Sequence, residues 1–187
     1  MKNIKVIALG STRMVGKDTF YALLCNCSPK FYRIAFADHL KYMINPLCRE
    51  LFAHKIVNEL SPSEKEIIRP VMISVGEAAR KIDQDFWIKK AYQLISLNTD
   101  AYSIPVITDM RYLNEYNYFK NIYGDSFLFI DINRVGAPEP TAEEQIYAPP
   151  LKKVADVSLT WDTDPTMLTL QTHVNGIYEK YFKELTW

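Results

Sequence analysis

The chain is predicted to fold as an α/β protein, a three-layer sandwich with helices on both faces of a mostly parallel sheet. Three observations predict it. Short buried strands alternate with helical patterns, the first strand leads through a glycine-bearing polar loop into a helix, and 187 residues suit a single domain over 1–187. Ile4 to Leu9 is the first strand, and Phe20, Leu23, Leu24 and Cys27 follow at i, i+3, i+4, i+7, placing Cys27 in the core. Tyr32 to Ala37 is the second strand. Leu40, Met43, Ile44, Leu47 and Leu51 then keep helical spacing, with Pro46 expected to kink or shorten that helix.

From about Ser61 to Asn98 the chain reads as helical, opened by Ser61 as cap and Pro62 in the first turn, with a break near Asp83 to Asp85. Ile104 to Thr108 and Ser126 to Asn133 are buried strands joined by a helix from about Leu113 to Asn121. In the second of these, Phe127, Phe129 and Asp131 share one face. Val135 to Pro150 holds four prolines and reads as a long loop. Val154 to Thr160 is the last strand. Asp164-Pro165 is expected to start a C-terminal helix whose face is Met167, Leu170, Val174, Ile177, Tyr178, Tyr181 and Leu185.

Composition excludes several function classes. Twenty-two basic and twenty-two acidic residues cancel, so no bulk charge drives binding to nucleic acid or an anionic membrane. The longest apolar runs, such as Val6 to Leu9 and Phe127 to Ile130, are far too short to span a bilayer, and no secretory signal is readable; a cytoplasmic protein is expected. Three cysteines make no disulfide framework, and Cys25-Asn26-Cys27 lacks the second ligand pair of a zinc site. His39, His54 and His173 show no ligand spacing.

Ser11-Thr12-Arg13-Met14-Val15-Gly16-Lys17-Asp18-Thr19 lies between the first strand and first helix, the context of a Walker A phosphate loop. There, backbone N–H groups cradle a β-phosphate and Lys17 supplies a point charge to the β- and γ-phosphates. Two departures stand out: Ser11 replaces the first glycine, with Gly10 one residue early, and Asp18 replaces the Mg²⁺-binding hydroxyl residue. A carboxylate still offers Mg²⁺ an oxygen ligand. The structural alternative is a plain strand-to-helix turn with Asp18 as a helix-start charge.

Three further polar clusters sit at expected strand ends. Asp38 and Lys41 follow the second strand, where either ligand binding or helix capping accounts for them. Asp109 ends a buried strand in the Walker B manner, suited to organising Mg²⁺, and Arg111 two residues on suits a phosphate, unless it pairs with Asp109 or Glu115. Arg80 lies among small residues in Gly76-Glu77-Ala78-Ala79-Arg80, Trp87 reads as core or base-stacking platform, and Arg69 stands beside Pro70.

Together, Gly16 to Thr19, Phe36-Ala37-Asp38 with Leu40-Lys41, Gly76-Glu77 with Arg80, Trp87, and Ile107 to Arg111 with Asn114-Glu115 resemble the phage-type deoxynucleoside monophosphate kinases, over about residues 4–134. The resemblance implies a P-loop kinase fold and transfer of the ATP γ-phosphoryl group to a deoxynucleoside monophosphate with Mg²⁺. It implies that Ser11 to Thr19 bind ATP and that Asp18 and Asp109 hold the metal. Asp38, Lys41, Arg69, Arg80, Trp87, Arg111 and Glu115 would line the acceptor site, to which a helical region of about 39–98 contributes. Lys17, Asp109, Arg111 and Arg134 would serve the transfer, Arg134 from a lid-like loop of about 134–153. Expected partners are these small molecules, with no nucleic acid or membrane, and self-association into a homodimer stays open. Two rivals stay open as well: a P-loop kinase of another phosphorylated metabolite, of dephospho-coenzyme A or phosphomevalonate type, and a catalytically silent nucleotide-binding regulator.

Overall fold

The computed structural model describes residues 3–10, 12–98, 103–163 and 166–183. In chain order the elements are β1 (Val6–Gly10), α1 (Lys17–Cys27), β2 (Phe31–Ile34), α2 (Phe36–Leu51), α3 (Pro62–Ile82), α4 (Phe86–Leu97), β3 (Ile104–Ile107), α5 (Leu113–Tyr123), β4 (Phe127–Arg134), α6 (Ala142–Lys153), β5 (Val157–Trp161) and α7 (Met167–Phe182). They form two compact units, Met1–Ile34 with Thr99–Trp187, and Ala35–Asn98.

The first unit carries a five-stranded, wholly parallel sheet in the order β2-β3-β1-β4-β5. Alternation sorts its side chains onto two faces. On one, Ile7, Leu9, Leu128, Ile130 and Ile132 pack with Phe20 and Leu24 of α1 and Leu170 and Val174 of α7. On the other, Phe127 and Phe129 meet Tyr116 of α5, the ring centroids 5.7 Å apart in both pairs. This is the three-layer α/β sandwich expected from the sequence, and it fits a P-loop kinase arrangement. Its β1 and β3 end side by side, where open parallel sheets bind ligands. Among the described residues no helix is long and apolar enough to cross a membrane.

The second unit is helical. Ile44 and Cys48 of α2 pack with Val57, Leu60 and Ile68. Ser61 caps α3 by accepting the N–H of Glu64, whose carboxylate accepts the N–H of Ser61 at 2.7 Å in return, and Pro62 begins the helix. The break between α3 and α4 falls at Asp83 to Asp85.

Several expectations are corrected. The second strand ends at Ile34, so Phe36, Ala37 and Asp38 belong to the first turn of α2, where a carboxylate suits the helix dipole. Pro46 does not shorten α2, which runs five residues past it to Leu51. Cys27 is half-buried at the end of α1, its thiol on the Leu23 carbonyl and on Asn175 Oδ1 at 3.3 Å. Met167 is exposed. Thr166 caps α7 through the Thr169 N–H, whereas Asp164, Pro165 and Leu185 lie outside the described residues.

The largest correction concerns Val135 to Pro150, whose second half is helix. Thr141 and Glu144 form a reciprocal capping box, and Glu144, Ala148 and Leu151 share a buried face that holds α6 through Pro149 and Pro150.

Candidate functional site

The loop expected to hold phosphates sits at the carboxyl end of β1, with Ser11 outside the described residues. Gly10 is glycine for packing: a Cβ there would come within 2.7 Å of the Phe129 ring. Gly16, by contrast, is needed for its backbone, since it precedes α1 at φ +93° with open space around it. Met14 is also left-handed, at φ +55°, and 64% exposed, a conformation that costs a non-glycine residue about 1–2 kcal/mol. Val15 is buried in the core and Thr12, three residues earlier, is buried too, so the loop is anchored at both. Among the described residues no side chain caps α1, which leaves its N-terminus suited to an anion.

Lys17 opens α1 and donates from Nζ to the Thr12 carbonyl. Burial, together with the nearby Arg111 charge, pulls its pKa down to about 8, while Asp18, Glu144 and Asp109 pull the other way. These charges therefore share one site. Sequence reasoning found four of the five. Glu144 was missed because it lies in the segment read as loop, although the Thr141-x-x-Glu144 spacing was a readable helix-start signal.

Glu144 is 6% exposed. Its Oε1 accepts the backbone N–H of Arg13 at 2.8 Å, and its Oε2 lies 3.8 Å from the Arg13 guanidinium and 3.0 Å from the Thr141 N–H that it caps. Burial pushes its carboxyl up, but the N–H groups of Thr141 and Arg13 and the charges of Arg111 and Arg13 outweigh this and hold it below its ordinary range.

Asp109 is set between two anchored neighbours: the Thr108 N–H donates to Ile34 at 3.0 Å and the Met110 N–H to Leu9 at 3.2 Å. It is half-buried. Glu115, expected to meet the acceptor, is buried and turned to its own helix start, accepting the N–H groups of Arg111 at 2.7 Å and Tyr112 at 3.0 Å. It thereby fixes the chain direction at Arg111. Arg134 ends β4 in register with Trp161 of β5, and among the described residues the Nε of each is buried without a hydrogen-bond partner.

The other expected acceptor residues lie in the helical unit. Lys41 pairs with Asp38 at 3.5 Å one turn away. Arg69 is exposed and held by Glu66 at 2.7 Å, a local surface pair. The Arg80 guanidinium runs beside Gly76, where a Cβ would lie 3.9 Å from it. Trp87 is 4% exposed, gives its indole N–H to the Gly76 carbonyl at 3.1 Å and packs against Phe86, so it is a core residue of this unit.

Residues 48–125 match the phosphomevalonate kinase family, fewer than half of the 187 residues and without the phosphate loop. The chain is thus similar to a kinase family over that segment. No curated protein matches it.

Asp18 and Asp109, both within electrostatic reach of Lys17, are the hard oxygen donors that Mg²⁺ prefers. Among the described residues no three acidic, histidine or cysteine side chains gather into a metal cluster. One or two carboxylates suffice for a Mg²⁺ that arrives on nucleotide phosphates and keeps several waters.

Proposed function

We propose that the protein is an ATP-dependent kinase of a phosphorylated small molecule, with a nucleoside monophosphate, deoxynucleoside forms foremost, as acceptor. The observation that carries the kinase reading is the gathering of Lys17, Arg13 and Arg111 with Asp18 and Asp109 at the carboxyl edge of a parallel sheet. The acceptor class rests on the resemblance set out above.

Phosphoryl transfer asks little covalent chemistry of a protein and depends on positioning and charge. Thr12 to Thr19 would hold the donor phosphates, with Lys17 placed on the transferring group. Arg111, aimed by the hold of Glu115 on its backbone, would grip the acceptor phosphate as a two-pronged donor. Asp18 and Asp109 would hold Mg²⁺, which when bound neutralises charge on the phosphates. Arg134, with its buried Nε, remains the candidate for a further phosphate contact. Asp38, Lys41 and Arg80 keep their proposed acceptor roles on the resemblance alone. Arg69, Trp87 and Glu115 are better explained by the surface pair, the core and the helix start they serve.

A second reading, phosphorylation of phosphomevalonate, is favoured by the match over residues 48–125. Measuring ATP consumption across the deoxy- and ribonucleoside monophosphates and phosphomevalonate separates the two. Turnover with phosphomevalonate alone would replace the nucleotide reading, and no turnover with any acceptor would leave a silent nucleotide-binding protein.

A further inference from the structure

The carboxylate of Glu144 stands where a ligand anion would be expected. It takes the N–H of Arg13 in the phosphate loop, and Arg111 and Lys17 both feel its charge. With Arg13, Lys17 and Arg111 set against Asp18, Asp109 and Glu144, the charges cancel, and Glu144 is the one of the three acids that is buried. A polyphosphate approaching Arg13 meets a seat already taken by a like charge.

The helix that carries Glu144 is held differently at its two ends. At its C-terminal end Ala148 and Leu151 are buried, and Lys152 donates to Asn133 at 2.6 Å, which donates to buried Asp131 at 2.6 Å. Its first turn rests on polar contacts, Glu144 to Arg13 and the Tyr112 hydroxyl to Glu143, beside a pocket lined by Arg111, Tyr112 and Tyr147. Directly after Ala148 come Pro149 and Pro150, which lack the N–H groups that would tie them to Gln145 and Ile146 one turn back. The first turn is the end built to let go.

We propose that Glu144 is a built-in counter-anion of the phosphate loop, seated on the Arg13 N–H without ligand and displaced, with the first turn of α6, when a polyphosphate binds. This rests on the proposed nucleotide-binding role of the loop. Displacement makes the protein select its ligand from a minor open state, and a site open in about one molecule in ten binds about tenfold more weakly than its intrinsic affinity.

The test is calorimetric titration of the wild type, Glu144→Gln and Tyr112→Phe with Mg·ATP and, separately, with inorganic tripolyphosphate. Glutamine keeps the capping box but loses the charge, and Tyr112→Phe loosens the same turn without touching the loop. The expected result is about tenfold tighter binding of both probes by Glu144→Gln and a smaller gain in the same direction by Tyr112→Phe. Wild-type binding with no gain, or a loss, in both variants overturns the counter-anion while leaving the nucleotide reading intact. A gain for ATP but not for tripolyphosphate also overturns it, because the seat in question is a phosphate seat. No binding of either probe by any of the three proteins refutes the nucleotide reading and the counter-anion with it. Should Glu144→Gln fail to fold, Tyr112→Phe decides by the same criterion.

Discussion

The two units handle charge in opposite ways. In the helical unit, charged residues pair with close sequence neighbours at the surface, as Asp38 with Lys41, Glu66 with Arg69 and Asp83 with Lys89. In the sheet unit, charges arrive from three separate segments, at Asp18, at Asp109 with Arg111, and at Glu144, and bear on one lysine whose pKa falls to about 8. Local pairs exposed to water contribute at most about 1 kcal/mol, whereas converging, desolvated charges shift protonation and bind anions. The difference teaches where to look for chemistry: in the charges that the fold, rather than the local sequence, assembles.

Substitutions in both units sharpen this contrast. The largest expected effect is on stability in the helical unit. Trp87→Ala removes a buried indole and its bond to Gly76, and should cost about 3–5 kcal/mol in denaturant unfolding. A cost below about 1 kcal/mol would instead free Trp87 for the base-stacking role. Next comes Lys17→Ala, expected to lower kcat by roughly 10²- to 10³-fold with the fold intact, the scale of losing one preorganised charge donor. Near-normal turnover would remove Lys17 from the site.

The depressed pKa of Lys17 adds a pH signature. Without ligand, Lys17 loses its proton as pH rises through about 8, while the unfolded chain keeps its own until its ordinary 10.5. The unfolded state then binds more protons, so this residue's contribution to stability rises with pH between those values. Phosphate binding has the opposite sign, because the anion needs the charged lysine. ATP affinity should fall as pH rises above about 8, and a flat profile up to pH 10 would contradict the assignment.

Smaller effects separate neighbours. Arg111→Lys keeps the charge but not the fork, and should raise acceptor KM roughly tenfold while ATP affinity holds; Asp109→Asn should instead alter kcat and the Mg²⁺ dependence. Similar losses of stability in both would reduce them to strand-end packing. The smallest effect is Arg69→Ala, expected within about 0.5 kcal/mol of wild type in stability and without change in acceptor KM. A clear rise in acceptor KM would restore Arg69 to the site and weaken the contrast between the units.

Much of the fold was legible because its cues are local. Buried runs such as Ile104 to Ile107, the Ser61-Pro62 helix start and the break at Asp83 to Asp85 depend on residues within a few positions of one another. Reading stopped where two local cues conflicted. Around Pro149 and Pro150, proline argued for a loop, while Thr141, Glu144, Ala148 and Leu151 argued for a helix, and burial against the rest of the unit decided for helix.

The sequence by itself determined the glycine-bearing loop between a strand and a helix, the acidic residue just past β3 and the alternation that makes the sheet parallel. These follow from period, spacing and residue type along a short stretch of chain. Only the tertiary structure decided that Glu115 serves a helix start, that Gly10 yields to the Phe129 ring, and that Glu144 meets Arg13 across 131 residues of chain. A carboxylate carries no local mark of its partner. Its role is set by which N–H groups and cations the packing of distant elements brings within a few ångströms of it, and by how much water that packing removes.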